Sequence, residues 1–317
     1  MRIHVTDIHE FKRCRKRYSY KKQGLKKVKD TFSGNLWFGI GIHKCLAGLY
    51  QGFNPIDMWR EYTANPGNLS EEDALAFSEA VVLGTNMLIG YSDFASTQDD
   101  FNVLGVEKEL TCKVPGTRVT LVATIDLLVE RMGKLVAYDH KTQKRFSTES
   151  ELELDHQMSV YLWMIRELGL AREYGLGFGG YNMYNMLRKS YPSIPNINKN
   201  GTVSRQLIDT TPEIYIDTVI KAGENPTDYA DMIEKLQKVK FFHRLPVYRS
   251  NVELDGVGER LVYDLREMTS SKTFTSFNER YDCTYECSYT DLCKCERVKG
   301  DTQTIIDEMY TYEEVRK

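Results

Sequence analysis

The sequence predicts an α/β fold with helical additions, and three observations carry that expectation. Segments of helical and strand character follow one another as helices, strands, helix, strand and helices, an order that suits a sheet covered by helices. Two short arms rich in Val, Leu and Ile, joined at Met132-Gly133, read as a β-hairpin. At 317 residues and ordinary composition the chain can bury a sizeable core, as a globular protein does.

The elements follow in order. Thr6 to Tyr18 reads as a short helix with Thr6 as its N-cap. Leu36 to Tyr50 is a second helix, apolar at Phe38, Ile42, Leu46 and Leu49. Ser70-Glu71-Glu72-Asp73 opens a long helix to about Tyr91, its acidic first turn facing the positive end of the helix dipole. Strands follow at Asn102 to Lys113, Arg118 to Glu130 and Lys134 to Lys141, then a helix from Glu149 to Leu168 and a strand from Leu176 to Met186. Pro192 to Ser204 is loop-like, Pro212 to Val239 mostly helical, and Leu254 to Met268 helical again. Beyond Thr273 the chain is irregular and rich in cysteine, and no internal repeat or low-complexity segment occurs.

A net charge of −3 announces no global attraction to nucleic acid, but the charge is unevenly placed. Lys12, Arg13, Arg15, Lys16, Arg17, Lys21, Lys22, Lys26, Lys27 and Lys29 run without an intervening acid, whereas the stretch from Asp301 is mildly acidic. Such a basic run suits phosphates; a solvated helix face is the alternative. The N-terminus carries charge where a signal peptide needs an apolar core, and no apolar run approaches the roughly 20 residues that span a bilayer. A cytoplasmic location without membrane contact is therefore expected, and seven cysteines in such a compartment need a role other than disulfides.

The hairpin carries the most chemistry. A two-residue turn at Met132-Gly133 places Arg131 opposite Lys134, and counting back along both arms places Asp126 opposite Asp139. Alternation puts Asp139 and Lys141 on one face. Facing carboxylates repel unless something positive lies between them, and a divalent cation with hard oxygen ligands resolves the repulsion. A strand end with charges splayed into water accounts for the same residues.

Other candidates surround this pair. His43, in the helical Gly39-Ile40-Gly41-Ile42-His43, is either a boundary histidine or an imidazole completing a metal site. Alternation puts Glu107 and Glu109 on one strand face, where one of them is a further carboxylate near the metal or both are solvated. Gln157 and Tyr161 share a helix face at i, i+4. Cys283, Cys287 and Cys293 form C-x3-C-x5-C, the local clustering of metal or iron–sulfur ligands, with Cys295 or Cys14 available as a fourth. Zn²⁺ on the same thiolates is the competing occupant, and Cys45 and Cys112 read as small buried apolar residues.

Taken together these residues resemble the PD-(D/E)XK nuclease superfamily. More narrowly they look like its RecB-type branch with an iron–sulfur staple, as in AddB-type recombination nucleases and CRISPR-associated spacer-processing nucleases. The family order of helix histidine, strand aspartate, D/E-x-K and Q-x-x-x-Y is matched by His43, Asp126, Asp139 with Lys141, and Gln157 with Tyr161. The resemblance spans roughly residues 6 to 168 and resumes at 283 to 293. It implies a restriction-endonuclease-like mixed β-sheet core flanked by helices, with helical additions and a C-terminal cysteine-rich staple.

The resemblance also implies a single domain over 1–317. Its parts would be a basic N-terminal helix (1–30), a catalytic core (31–190), a helical addition (191–272), a cluster segment (273–300) and an acidic tail (301–317). His43, Asp126, Asp139 and the backbone carbonyl of His140 would hold Mg²⁺ or Mn²⁺, and Lys141 would act as a fixed cation. Glu107 would stand behind the metal ligands. Gln157, Tyr161 and the basic residues Lys12, Arg13, Arg15, Lys16 and Arg17 would contact DNA. Cys14, Cys283, Cys287 and Cys293 would hold a 4Fe-4S cluster, although C-x3-C departs from the commoner C-x2-C. The activity implied is an exonuclease on single-stranded or resected DNA ends, acting alone or beside a helicase, a recombinase or another replication or recombination protein. No G-x-x-x-x-G-K-S/T run supplies a motor in the chain itself. Size and helical decoration resemble phage-encoded or CRISPR-associated nucleases, and a phage enzyme would work in the host cytoplasm. A structure-specific endonuclease and a non-catalytic, zinc-stapled nucleic-acid-binding protein are the alternatives.

Overall fold

The computed structural model describes residues 1–28, 34–67, 69–270, 274, 277–281 and 283–313. Lys29, the last member of the basic run, lies outside them, as do 314–317 of the acidic tail.

The chain begins with β1 (Arg2–His4), α1 (Val5–Arg13), α2 (Arg15–Lys22) and β2 (Leu25–Lys27). The single helix expected from Thr6 is therefore two, and Asp7 rather than Thr6 serves the first N-terminus, accepting from His4 N at 3.3 Å. The break falls at Cys14, whose extended backbone ends α1 and whose sulfur accepts from Arg17 N at 3.5 Å. Then come α3 (Gly34–Tyr50), α4 (Pro55–Thr63) and α5 (Glu71–Gln98). No helix was expected at α4, although Asn54 caps it and Pro55 sits at its first position. By length and composition α5 is apolar enough to cross a membrane, contrary to expectation. Gly, Ser, Thr and Asn interrupt its apolar run without adding charge. Here Met87, Leu88 and Tyr91 close a core cluster with Phe38, Ile42 and Leu46 of α3. Glycine permits that close packing: a Cβ on Gly84 would lie 2.6 Å from Trp59 Cε2, and one on Gly41 2.6 Å from Trp59 Cζ3. Gly84→Ala is expected to cost about 1–3 kcal/mol in urea unfolding.

The sheet follows with β3 (Asn102–Lys113), β4 (Thr120–Arg131) and β5 (Lys134–Gln143), joined at Met132-Gly133, where both residues take positive φ as a type I′ turn requires. The expected helix over 149–168 is split into α6 (Glu149–Glu153) and α7 (His156–Glu167), because Asp155 caps the second, accepting from Gln157 N at 2.7 Å and Met158 N at 3.2 Å. After α8 (Leu170–Glu173) come β6 (Gly177–Phe178) and β7 (Tyr181–Arg188). An excursion then carries α9 (Pro212–Lys221), a 3-10 turn (Pro226–Tyr229) and α10 (Ala230–Leu236) around its own small core of Tyr215, Val219, Tyr229 and Leu236.

The helical addition expected over 191–272 is cut short. Phe242–Tyr248 is a strand, β8, at the sheet edge, where Pro246 is tolerated, and α11 (Asn251–Ser270) packs on α7 in the main core. Last come α12 (Cys283–Glu286), α13 (Thr290–Arg297), α14 (Thr302–Met309) and β9 (Tyr310–Tyr312). The pairing of β9 with β2 returns the C-terminal segment to the N-terminal helices.

The sheet is mixed, in the order β1-β4-β5-β7-β8, with β3 on β4 and β6 on β5. One face packs on α1, α7 and α11, the other on α3 and α5. Its defining feature is a fork. The β4–β5 ladder runs from Arg131↔Lys134 to Leu127↔Tyr138 and stops, while β5 continues beside β7 alone to Gln143.

Candidate active site at the strand fork

The hairpin register is as the turn predicts, but the ladder ends one pair before the two aspartates, so they flank the fork instead of forming a ladder pair. Where the strands part, His140 N loses its place in the ladder. Asp126 Oδ2 replaces the missing carbonyl, accepting that N–H at 2.7 Å. The same oxygen lies 3.6 Å from His43 Nδ1 of α3.

Asp139 is buried, and Lys141 Nζ lies 2.8 Å from its Oδ2. Burial pushes the Asp139 carboxyl up to about 6; Lys141 pulls it down, Asp126 adds to the rise, and burial wins. Burial acts on Lys141 in the opposite sense and is the largest single influence, but the Asp139 charge and hydrogen bond, with the charges of Asp155 and Asp126, together outweigh it and hold the ammonium above its usual range. The lysine is therefore cationic at neutral pH, as its expected role requires.

Glu107 lines the same cleft of about 700 Å³ as His43 and Asp126. Its φ of +48 is rare for a residue with a side chain and breaks the alternation expected along β3. Glu109 does not line the cleft and pairs with Arg2 at 2.8 Å. The Glu107 side chain is open to solvent, yet enough protein surrounds its carboxyl for desolvation, then Asp126, to push it up. Gln157 and Tyr161 share a face of α7 as predicted, joined at 2.5 Å, and burial followed by the Asp139 charge raises the Tyr161 phenol.

His43, Asp126, Asp139 and the His140 main chain thus meet at one fork. Among the described residues, however, no three His, Cys, Asp or Glu side chains converge closely enough to hold an ion as they stand. The donor chemistry still suits a hard divalent cation: two carboxylates, one of them buried and met by the Lys141 ammonium, and an imidazole.

The basic run is less free than its sequence suggests. Lys12 pairs with Asp264 (2.9 Å), Arg17 with Glu10 (2.6 Å), Arg15 with Glu267 and Lys16 with Glu296. Glu10 lies just before the run, but Asp264, Glu267 and Glu296 come from far along the chain, which the uninterrupted basic run did not reveal. Arg13 lines a cavity of about 330 Å³ together with Cys14, Cys283, Cys287 and Cys293. Cys295 lies instead against Gly300, and Cys45 and Cys112 are buried as expected. Burial, then the neighbouring thiols beginning with Cys14, push Cys293 up to about 11.

Two residues escaped the sequence reading. Asp155 fixes the start of the Gln157 helix, and its signal was an aspartate two positions before that glutamine. Asn185 is fully buried beside His140, and its signal was one of two asparagines, with Asn182, in a strand made mostly of apolar and aromatic residues.

A family model described as PD-(D/E)XK nuclease superfamily matches residues 2–294. No curated protein sequence matches the chain. A solved structure described as "Crystal structure of SSO0001" aligns with 10% identity over 92% of this chain and 85% of that one, at a TM-score of 0.34. The mixed sheet flanked by helices is the restriction-endonuclease-like core expected of that family, and the motif residues meet at its fork. With almost its whole length matched, the chain belongs to the PD-(D/E)XK nuclease superfamily.

Proposed function

We propose that this chain is a metal-dependent DNA exonuclease of the RecB-like branch, a single domain stapled by a 4Fe-4S cluster. Superfamily membership implies metal-dependent nuclease activity on nucleic acid. The observation that supports the catalytic reading is the fork, which sets an ammonium beside a buried carboxylate and next to a second carboxylate and an imidazole.

His43, Asp126, Asp139 and the carbonyl of His140 would hold Mg²⁺ or Mn²⁺. Such an ion lowers the pKa of a water and offsets charge developing on the phosphoryl group. Lys141, anchored by Asp139, presents a fixed positive charge to the attacking water or to the phosphoryl oxygens. Tyr161, tied to Gln157, lies near enough to Asp139 for that charge to raise its phenol.

Cys14, Cys283, Cys287 and Cys293 are the proposed cluster ligands. A shared cavity supports a cluster over a single Zn²⁺, whose four thiolates would converge at about 2.3 Å from one point. Clustered thiols that hinder one another's ionisation also suit a cationic occupant.

End-labelled linear DNA and covalently closed circles, single- and double-stranded, test the activity in Mg²⁺ and in Mn²⁺. The expected result is release of label from linear DNA with circles left intact. Cut circles would replace the exonuclease by an endonuclease. Binding without cleavage in either metal would sink the catalytic reading.

A further inference from the structure

We infer that Asn185 is a positioning residue for the catalytic strand, acting through the ring of His140; the inference rests on the nuclease reading above. His140 stands between Asp139 and Lys141, and beyond Tyr138 this part of β5 has a ladder on one side only. Its main-chain N–H is held by Asp126, and its ring turns to the opposite face from its two neighbours. There the ring is buried, stacked on Tyr50 (5.9 Å, 14°) and edge-on to His43 (6.0 Å, 75°).

Asn185 faces His140 across the β5–β7 ladder, with its Nδ2 2.8 Å from His140 Nδ1. The roles in this contact follow from Arg244, which can only donate. Arg244 Nε reaches Asn185 Oδ1 at 3.2 Å, so the amide oxygen faces the arginine and the NH₂ faces the imidazole. His140 Nδ1 therefore accepts, and the ring proton sits on Nε2. The same NH₂ reaches Tyr91 OH at 2.7 Å. Tyr91 OH lies 2.7 Å from Tyr50 OH, and Arg244 Nη2 reaches Asp99 at 2.5 Å. One polar network thus ties α3, α5, β7 and β8 to a single ring on the catalytic strand.

An arginine and an aspartate that are largely enclosed, with side chains 12% and 20% exposed, and a fully buried asparagine are a poor way to gain stability, since apolar side chains of similar volume serve as well. They are a good way to fix one ring in one orientation. His140 is pinned at its main chain by Asp126 and at its ring by Asn185, and this sets how far Asp139 and Lys141 can move relative to Asp126. Release of the ring would loosen the carboxylates that hold the metal and the lysine that serves the reaction.

The test uses the full chain with Asn185→Leu, Arg244→Met and His140→Phe, the last keeping an aromatic face on Tyr50. Thermal melts establish that each is folded. Calorimetry then gives Mn²⁺ affinity, and steady-state cleavage of labelled DNA gives kcat and KM. Asn185→Leu is expected to weaken Mn²⁺ binding about 10-fold or more and to lower kcat by about 10–10²-fold, with KM within about 3-fold. Because Asn185 acts through the ring, adding it to His140→Phe should produce no further loss in either quantity. If Asn185→Leu proves unfolded, Arg244→Met paired with His140→Phe makes the same comparison. Unchanged Mn²⁺ affinity, or losses that multiply in the double variant, would overturn the inference. A wild-type protein that binds Mn²⁺ and loses affinity on Asn185→Leu, yet cuts no DNA, would uphold the positioning role and overturn the nuclease reading instead.

Discussion

Asp139→Asn is expected to lower DNA cleavage by about 10³-fold or more while making the metal-free protein more stable at neutral pH. The two effects share one cause. Asp139 is buried, and the charge needed for metal binding is costly to keep there. Its folded pKa is raised to about 6 from the ordinary 3.8, so the folded form binds the proton more tightly than the unfolded form. Stability linked to this group is therefore present at low pH and is lost as pH rises from about 4 to about 6. Two histidines, the buried His140 and the half-buried His156, are lowered to about 4 by desolvation and act in the opposite sense over much of that range. The informative quantity is thus the difference between wild type and Asp139→Asn, in which the histidine contributions cancel. Urea unfolding in EDTA should show wild type losing about 2–3 kcal/mol relative to the variant between pH 4 and 6. Mg²⁺ should return it, because the cation stabilises the charged carboxylate. A wild type that gains on the variant as pH rises would contradict the burial argument.

Loss of a cluster cysteine is expected to have the second-largest effect. Cys14→Ser, Cys283→Ser, Cys287→Ser or Cys293→Ser should each remove the brown colour and iron of protein purified without oxygen. Cys295→Ser, which alters a residue outside the shared cavity, should keep both. Cys14 lies between the two N-terminal helices and the other three lie beyond Thr273, so the proposed staple would close nearly the whole chain. Loop-closure entropy alone makes such a link worth about 5 kcal/mol. The apolar contacts of Tyr20, Leu25, Tyr289, Leu292 and Tyr310 hold the same two segments together, so the variants should melt lower without unfolding outright. Iron analysis and thermal melts on the five variants decide the matter. Zinc in place of iron would restore the competing occupant, and equal loss in Cys295→Ser would break the ligand assignment.

Local features were legible where neighbouring residues decide the structure. The Met132-Gly133 turn sets the hairpin register through its own two backbone angles, and that register brings Asp126 and Asp139 to the same end. Ser70 caps α5 by accepting from Asp73 N at 3.1 Å, a contact within one turn of helix. The breaks at Cys14 and Asp155 were missed because continuous helical periodicity hides a cap that ends one helix and begins another. β8 was missed because Arg244 and Pro246 look foreign to a strand until its edge position and its buried partners are known.

The amino-acid order by itself marked His43, Asp126, Asp139, Lys141, Gln157 and Tyr161 as candidates, and local geometry already brings Asp126 to the same hairpin end as Asp139 and Gln157 to the same helix face as Tyr161. It also determined which cysteines were candidates for a staple. Tertiary structure alone decided where the β4–β5 ladder ends, because that depends on β7 drawing β5 away. It decided that acids from α11 and α13 neutralise the basic run, and that Cys14 rather than Cys295 lines the thiol cavity. Turns, caps and strand alternation act over a few residues, whereas forks, ion pairs and buried networks are formed by segments that meet only when the whole chain has closed.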